Sequence, residues 1–600
     1  MAEIRVRKSG RKTLDSSLPL EHLSEETRRF MHYSLYDPTE ALKNMEEQIR
    51  LYYKQVKRSR KKEVYLSALL LDTNEITTRV IDGHVGDENR ASKNSALIAA
   101  HYPGGAVAYS VAFTPSARQL HKALAEAEEE AWENRNTKHK RNLMHPKKSE
   151  MSKHFKLDLD SFRQKTYDDL STKLAECEQA IAEVEGIVGS QALLEMTLGQ
   201  EIFVDSLGRR TIQEIAQMHI HMVAEAEADD MPGGRFELEE IVGCSGTAQD
   251  LDWLFFKARN RGEELAKKTV SFSKAGPKVK PTPLYGRRTK TFELRPGRYD
   301  IVMDGAMASL TIHEMLGHSA EANRFLNSEG EGTPFYLGQK VGMPSLNIVD
   351  NPLMTFEYNQ SSDEIEQAVH AGIILPTRIK PPSYYHVDHE GVVGGKTHIV
   401  QNGRFISYLT TRMSAGTLDR EQIRKALTGN ARVGSVCSED EDGESSPIQP
   451  DSRMSTLSIL PDSDGPDLRG LLDRIKGNGL YITAGKSSGE VSTKKSQGWV
   501  AVAEVYFVDN DLNLIPLRIP HYRIDLVDNV VGYLGKIREI GNGNTVSFET
   551  SYCASDSGVV PQSCGGAAIL VEKVNIHPEY YPGTHKGALT PIPSRNKSKD

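Results

Sequence analysis

"TIHEMLGHSAEANR", residues 311–324, gathers two histidines, two glutamates and a glycine into one short stretch. Upstream, "YDIVMDGAMASL" at 299–310 reads as a short apolar strand, an Asp-Gly turn and a helix starting near Ala306. His313 and His318 then lie on a helix, with Glu314 next to the first. Their spacing is i, i+5, one residue longer than the H-E-x-x-H of zinc-protease helices. On an ideal α-helix five residues leave the two imidazoles about 140° apart around the axis, too far to share one ion. A single π-turn, or a helix loosened at Gly317, restores a common face, because an i to i+5 hydrogen bond takes up one extra residue. Glycine before the second histidine suits such a deformation.

The residue types fit metal chemistry. Neutral imidazoles bind zinc, and a catalytic zinc takes three protein ligands while leaving a fourth position for water. A carboxylate beside that water accepts its proton during attack on a carbonyl, which makes Glu314 the natural base. Glu321, three residues after His318, falls on a similar face and either binds the metal or orients a histidine from behind. The plain alternative is an amphipathic helix whose wet face carries H, E and H. In a chain with 19 histidines the pattern alone does not decide between them. A third ligand is needed.

Composition bounds the answer. A chain of 600 residues exceeds one hydrophobic core, so two or more domains are expected. With 38% hydrophobic and 26% charged residues it reads as soluble and globular. A net charge of −8 offers no footprint for nucleic acid. Basic runs such as "KRSRKKE" at 57–63 read as solvated loops. The five cysteines, at 177, 244, 437, 553 and 564, are odd in number and widely spread, which argues against a disulfide framework and for a reducing compartment. The N-terminus leads into no apolar run, and the most apolar window, "SALIAAHYPGGAVAYSVAF" at 95–113, is broken by His101, Pro103 and two glycines. A cytoplasmic protein with no membrane partner is expected.

Outward from the quoted stretch, the chain divides at "SKAGPKVKPTPLYGRR" (273–288), a Pro, Gly and basic segment that marks a boundary near residue 285. Residues 1–60 read as an N-terminal helical extension, with "DPTEALKNMEEQIRLYYKQVKRSRKKE" (37–63) as its helix. Residues 61–285 read as an α/β domain: strands over 63–113, a serine-capped helix from Ser116, a polar link at about 135–155, a helix over 161–186, further strands and a helix over 248–272. Residues 286–585 form a β-rich domain and 586–600 a frayed tail. The acidic "CSEDEDGESSP" (437–447) reads as a mobile surface loop. The fold class expected is α+β.

Several segments recur in the order found in one family. "HEMLGHSAEANR" (313–324) resembles the HExxxH helix of the TldD/PmbA metallopeptidases, also described as modulators of DNA gyrase. "DHEGVVGGKTHIVQNGRFISYLTTRMSA" (388–415) is similar to the family's D-x-E-G strand and following hairpin, "LTGNARVGS" (427–435) to its T-G-N-x-R segment, and "DSRMSTL" (451–457) to its P-R-M-x-N-T turn. "GLYIT" (479–483) and "GEVSTKKSQGWVAVAEVYFVDN" (489–510) resemble its G-x-Y strand and the hairpin after it. "CASDSGVVPQSCGG" (553–566) resembles the C-x-x-D-x-x-x-V-P stretch, whose cysteine, matched by Cys553, supplies the third zinc ligand. Resemblance runs through most of 290–575, while the first 285 residues are only loosely similar to the family's mixed α/β domain. Ser452 and Thr456 stand where the turn usually has Pro and Asn, and Asn323 where Asp is common.

The resemblance implies a zinc-dependent peptidase of the HExxxH-bearing, TldD type, with His313, His318 and Cys553 on Zn2+, Glu314 as base, and a peptide substrate. It also implies a homodimer or a heterodimer with a related subunit. Cys564 is the rival third ligand; the spacing to Val560-Pro561 favours Cys553. Two alternatives stand beside this reading: a non-catalytic scaffold or regulatory partner, and a metal hydrolase of a non-peptide amide. "HIH" at 219–221 puts both imidazoles on one side of a strand, read as a partly exposed face. In "YYHVDHE" (384–390), His386, Asp388 and Glu390 would share a strand face, with Asp388 and His389 as supports behind the ligands. No nucleotide-binding glycine pattern is present.

Overall fold

Alternating side chains along three long strands organise the first half. The structure, a computed structural model, describes residues 38–579 apart from 61–62, 87–88, 106, 115, 137–141, 147–151, 230, 277, 280–290, 328–334, 359, 418–425, 440–444, 485–487, 493–496, 503, 519–520 and 526–528. The strand Tyr65–Ile81 pairs antiparallel with Asn89–His101 on one side and Ile187–Asp205 on the other, and Ile187–Asp205 pairs with Arg210–Glu227. Val107–Ala112 and Arg235–Ser245 extend the sheet outward, and Ser152–Phe155 adds a short parallel strand.

Because strand side chains alternate in direction, this sheet has two different faces. Leu66, Leu70, Ile76, Val80, Leu194 and Ile202 point one way and are buried under the helices Pro38–Arg60, Ala117–Glu133, Tyr167–Ala182 and Ala248–Ser273. Ser116 caps the second of these as expected, and Thr166 with Asp169 forms a reciprocal capping box on the third. Leu69, Leu71 and Phe203 point the other way, against Val433 and Val436 of the second half. One face therefore carries helices and the other seats the C-terminal half.

That half is mostly β. A nine-stranded sheet runs from Ser488–Ser492 at one end through Ile569–Glu579 and Gly297–Met303 to Leu514–Leu517 at the other. A six-stranded sheet ends in the hairpin of Gly558–Gly566 and Ser547–Ser555. The helix Gly305–Ile312 lies between them, buried at every residue, with Met307, Ala308 and Ile312 in one core with Ile301, Ile348, Leu457 and Ile569. A helix apolar all round belongs in such an interior. It also lies close: a Cβ at Gly305 would stand 1.7 Å from the Gly566 carbonyl oxygen. The chain is thus α+β, with a mostly β C-terminal domain.

Among the described residues no helix is long and apolar enough to cross a membrane, and no disulfide joins any of the five cysteines. The boundary expected near 285, residues 1–37 of the expected extension and the tail at 586–600 lie outside the described residues.

Three expectations change. The flanks of the acidic segment form a hairpin, Cys437–Glu439 against Ser445–Pro447, while 440–444 lie outside the described residues. His219 and His221 are buried, because the C-terminal half covers this face, and each pairs with a glutamate, Glu195 at 2.7 Å and Glu239 at 3.0 Å. Residues 384–394 form turns rather than a strand. Asp388 there accepts the amides of Glu390, Val392 and Ala431, and His389 sits between the Val433 amide and Glu201. Both fix loops at the junction of the two halves; His386 instead stacks on Phe155.

Candidate metal centre

Helix Gly305–Ile312 starts at Asp304, whose carboxylate caps the Met307 amide, and after two turns it changes pitch. Residues His313–Gly317 form a π-turn, closed by the His318 amide donating to the His313 carbonyl. The extra residue in that turn brings both rings to one side, at 4.8 Å between centroids and 75° between planes. Gly317 has a different part from the one expected. Its backbone is ordinary right-handed helix (φ −58°, ψ −54°), but a Cβ there would lie 2.0 Å from Met454 Sδ. A side chain there would have to displace the end of the buried Met454, a matter of packing rather than of backbone freedom. Alanine favours a helix over glycine by about 1 kcal/mol, whereas overpacking a core costs about 1–3 kcal/mol. Gly317→Ala is therefore expected to lower Tm and weaken metal binding together. A raised Tm in a melting experiment contradicts the packing account.

The third group arrives on the β-hairpin. Cys553 lies on Ser547–Ser555 opposite Val560, and its sulfur is 3.7 Å from His318 Nε2. The potential ligand atoms of His313, His318 and Cys553 all fall within 4.8 Å of one another, and all three residues are buried. Glu314, 12% exposed at its side chain, holds a carboxylate oxygen 3.9 Å from the same His318 nitrogen. Cys564, on the neighbouring strand opposite Glu549, accepts from Gln562 Nε2 at 2.8 Å and is not part of this group.

Electrostatics separate the two thiols. Burial raises both, and at Cys564 nothing overcomes it, so that thiol stays well above its ordinary value. At Cys553 the imidazoles of His313 and His318 hold the thiol well below it. His318 is lowered by burial but lifted to about 10 by Glu321 and the Cys553 sulfur. Glu321 in turn is raised by burial yet brought down to about 2 by His318, Arg324 and Arg453. Surroundings negative enough to keep a proton on His318 also favour a divalent cation in the proton's place.

Glu321 Oε2 lies 3.0 Å from His318 Nδ1 and 2.8 Å from Arg324 Nε. Arg324 Nη2 also approaches that Nδ1, at 3.1 Å. A protonated Nδ1 accepts nothing, so the carboxylate is its partner, and Nε2, which faces Cys553, is the nitrogen whose proton a metal would replace. Glu321 is thus an orienting group. Among the described residues, the buried His313 Nδ1 has no hydrogen-bond partner. Two imidazoles and a low-lying thiol, their ligand atoms within 4.8 Å of one another and the Glu314 carboxylate nearby, form a donor set of the kind that suits a divalent metal such as zinc.

Of the departures from the family turn, Ser452 Oγ accepts the Asn323 amide at 3.1 Å, and Asn323 Oδ1 accepts from Thr411. Thr456 shares its hydroxyl with Ser383. Sequence reasoning passed over Arg453, fully buried beside Cys553, and the pair Tyr552 and His219 that ties the ligand strand to the N-terminal sheet. Arg453 stood in a run of small polar residues, "DSRMSTL", where a buried arginine finds acceptors.

Residues 296–578 match the family model of the PmbA/TldA metallopeptidase C-terminal domain. A metalloprotease of Methanocaldococcus jannaschii is 26% identical over 379 residues, covering 62% of this chain and 66% of that protein. A zinc metalloprotease TldD homolog of Saccharolobus solfataricus is 27% identical over 283 residues, 47% of this chain and 52% of its own. The chain thus spans less than two thirds of either relative's length. TldE from Thermococcus kodakarensis shares the fold, with a TM-score of 0.59 at 14% identity over 89% of this chain and all of that one. The C-terminal half, residues 296–578, is thus similar to the PmbA/TldA metallopeptidase C-terminal domain, on a chain that shares the fold of TldE.

Proposed function

We propose that the chain is a zinc-dependent peptidase acting on unfolded or short peptides. The observation that carries this reading is the meeting of His313, His318 and Cys553 within 4.8 Å, with the Glu314 carboxylate beside them. A zinc ion held by those three residues would supply Lewis acidity, acidifying a water and polarising a substrate carbonyl. Glu314 takes the proton of the attacking water and passes it to the leaving amine. Glu321 holds the His318 ring with Nε2 facing the site.

Substrate shape follows from the sheet edge. Ser488–Ser492 ends the nine-stranded sheet, pairs on one side with Gln497–Val502, and its backbone lies against the turn 313–317. An extended peptide adds to such an edge through main-chain bonds, which gives affinity with little sequence preference. Five cysteines with no disulfide among them suit a reducing, cytoplasmic setting. A subunit partner, a second copy or a related chain, is inferred from the family and is read out by the mass in light scattering.

The test combines metal analysis with digestion. Purified chain is expected to hold about one zinc per site and to cleave members of a peptide library, with activity lost to chelator and restored by zinc. A chain that binds no zinc supports the scaffold reading instead. Folded protein cleaved as readily as short peptide contradicts the strand-addition account.

A further inference from the structure

Arg453 is 1% exposed and is among the largest fully buried side chains. An unpaired guanidinium in an interior is costly, so its partners define its task. Its Nη2 donates to the carbonyl of Cys553, and its Nη1 to Ser555 Oγ, to Ser557 Oγ at 2.9 Å and to the Gly558 carbonyl at 3.0 Å. Those four acceptors are the end of the hairpin that carries Cys553. On its other edge, Nε faces Glu321 Oε1 at 3.9 Å, and among the described residues neither atom has a hydrogen-bond partner. Glu321 is the carboxylate that orients His318. The backbone of Arg453 is itself fixed, its amide donating to the Asn430 carbonyl at 2.9 Å and its carbonyl accepting from Asn430 Nδ2 at 3.0 Å.

We propose that Arg453 is a positioning residue for the metal centre: one rigid fork holds the Cys553 hairpin on one edge and the Glu321 carboxylate behind His318 on the other. Ligands that arrive from segments 235 residues apart in sequence need such a link. Without it each moves on its own element and the donor set meets less often in the geometry a metal requires. The planar five-donor fork is specific to arginine; lysine keeps the charge but serves one edge at a time. This rests on the peptidase reading only through the identity of the metal site.

The test is zinc affinity by chelator competition, with the visible spectrum of the cobalt-substituted chain as a second readout. R453K is expected to bind zinc about 10–100-fold more weakly, the range for loss of a partner behind a ligand. Its thiolate-to-cobalt band should weaken, whereas a merely structural loss lowers Tm and leaves that band in place. R453K combined with E321Q should lose less than the product of the single losses, because both act on one link. Wild-type affinity and an unchanged cobalt spectrum in R453K overturn the inference. If R453K does not fold, S557A, which removes one acceptor from the same fork, carries the test, and unchanged affinity there overturns it equally. A wild-type chain that binds no zinc overturns the peptidase reading and this inference with it, whereas tight wild-type binding with an indifferent R453K overturns this inference alone.

Discussion

Glu314→Gln is expected to keep zinc at the wild-type ratio and to lose peptide hydrolysis by about 10²–10⁴-fold in kcat, the usual worth of a general base. The substitution conserves shape and leaves His313, His318 and Cys553 untouched, so the metal site remains complete. An amide in that place still hydrogen-bonds but accepts no proton. Glu314 is also the one member of the cluster with notable access to solvent, 12% exposed against 9% for the His318 side chain that it faces at 3.9 Å. A carboxylate there can exchange its proton with water between turnovers. The measurement is single-turnover cleavage of a fluorogenic peptide beside metal analysis of the same sample. Turnover within tenfold of wild type removes Glu314 from the role of base.

Different parts of this arrangement were legible in the sequence to different degrees, for physical reasons. The π-turn was legible because two imidazoles at i, i+5 share a face only if the helix deforms, by a π-turn or by loosening at Gly317, and the turn over His313–Gly317 takes the first way. Strands such as Ile187–Asp205 were legible from alternation, a local pattern. Cys553 was nameable only by resemblance, since nothing local tells a hairpin residue which helix lies opposite. Residues 384–390 misread as a strand because alternating polar and apolar residues satisfy a turn network as well as a pleated one. HIH misread as partly exposed because burial depends on what covers the sheet, and the cover comes from the other half of the chain. Gly317 was flagged correctly for the wrong cause: a sequence shows that a side chain is missing, but only packing shows that Met454 fills the space.

Cys553→Ala should reduce zinc affinity by more than about 100-fold, beyond the range for losing a mere outer partner of a ligand. The two rings it meets hold the pKa of this thiol well below its ordinary value, so it offers a thiolate where Cys564 offers a thiol. Removing the sulfur leaves two imidazoles, and a pair of neutral nitrogens holds zinc far less firmly than a set containing an anion. Fold loss is not the cause expected. The substitution keeps the backbone pairing with Val560 and deletes a single side-chain heavy atom, so metal-free Tm should change little. The clearest readout is the zinc-dependent rise in Tm, since a ligand that binds only the folded state stabilises it by mass action. Wild type should show that rise at micromolar zinc, Cys553→Ala should not, and Cys564→Ala should match wild type. Stoichiometric zinc retained in Cys553→Ala, with the rise intact, moves the third ligand to Glu321 or Cys564 and dissolves the donor set on which the peptidase reading stands.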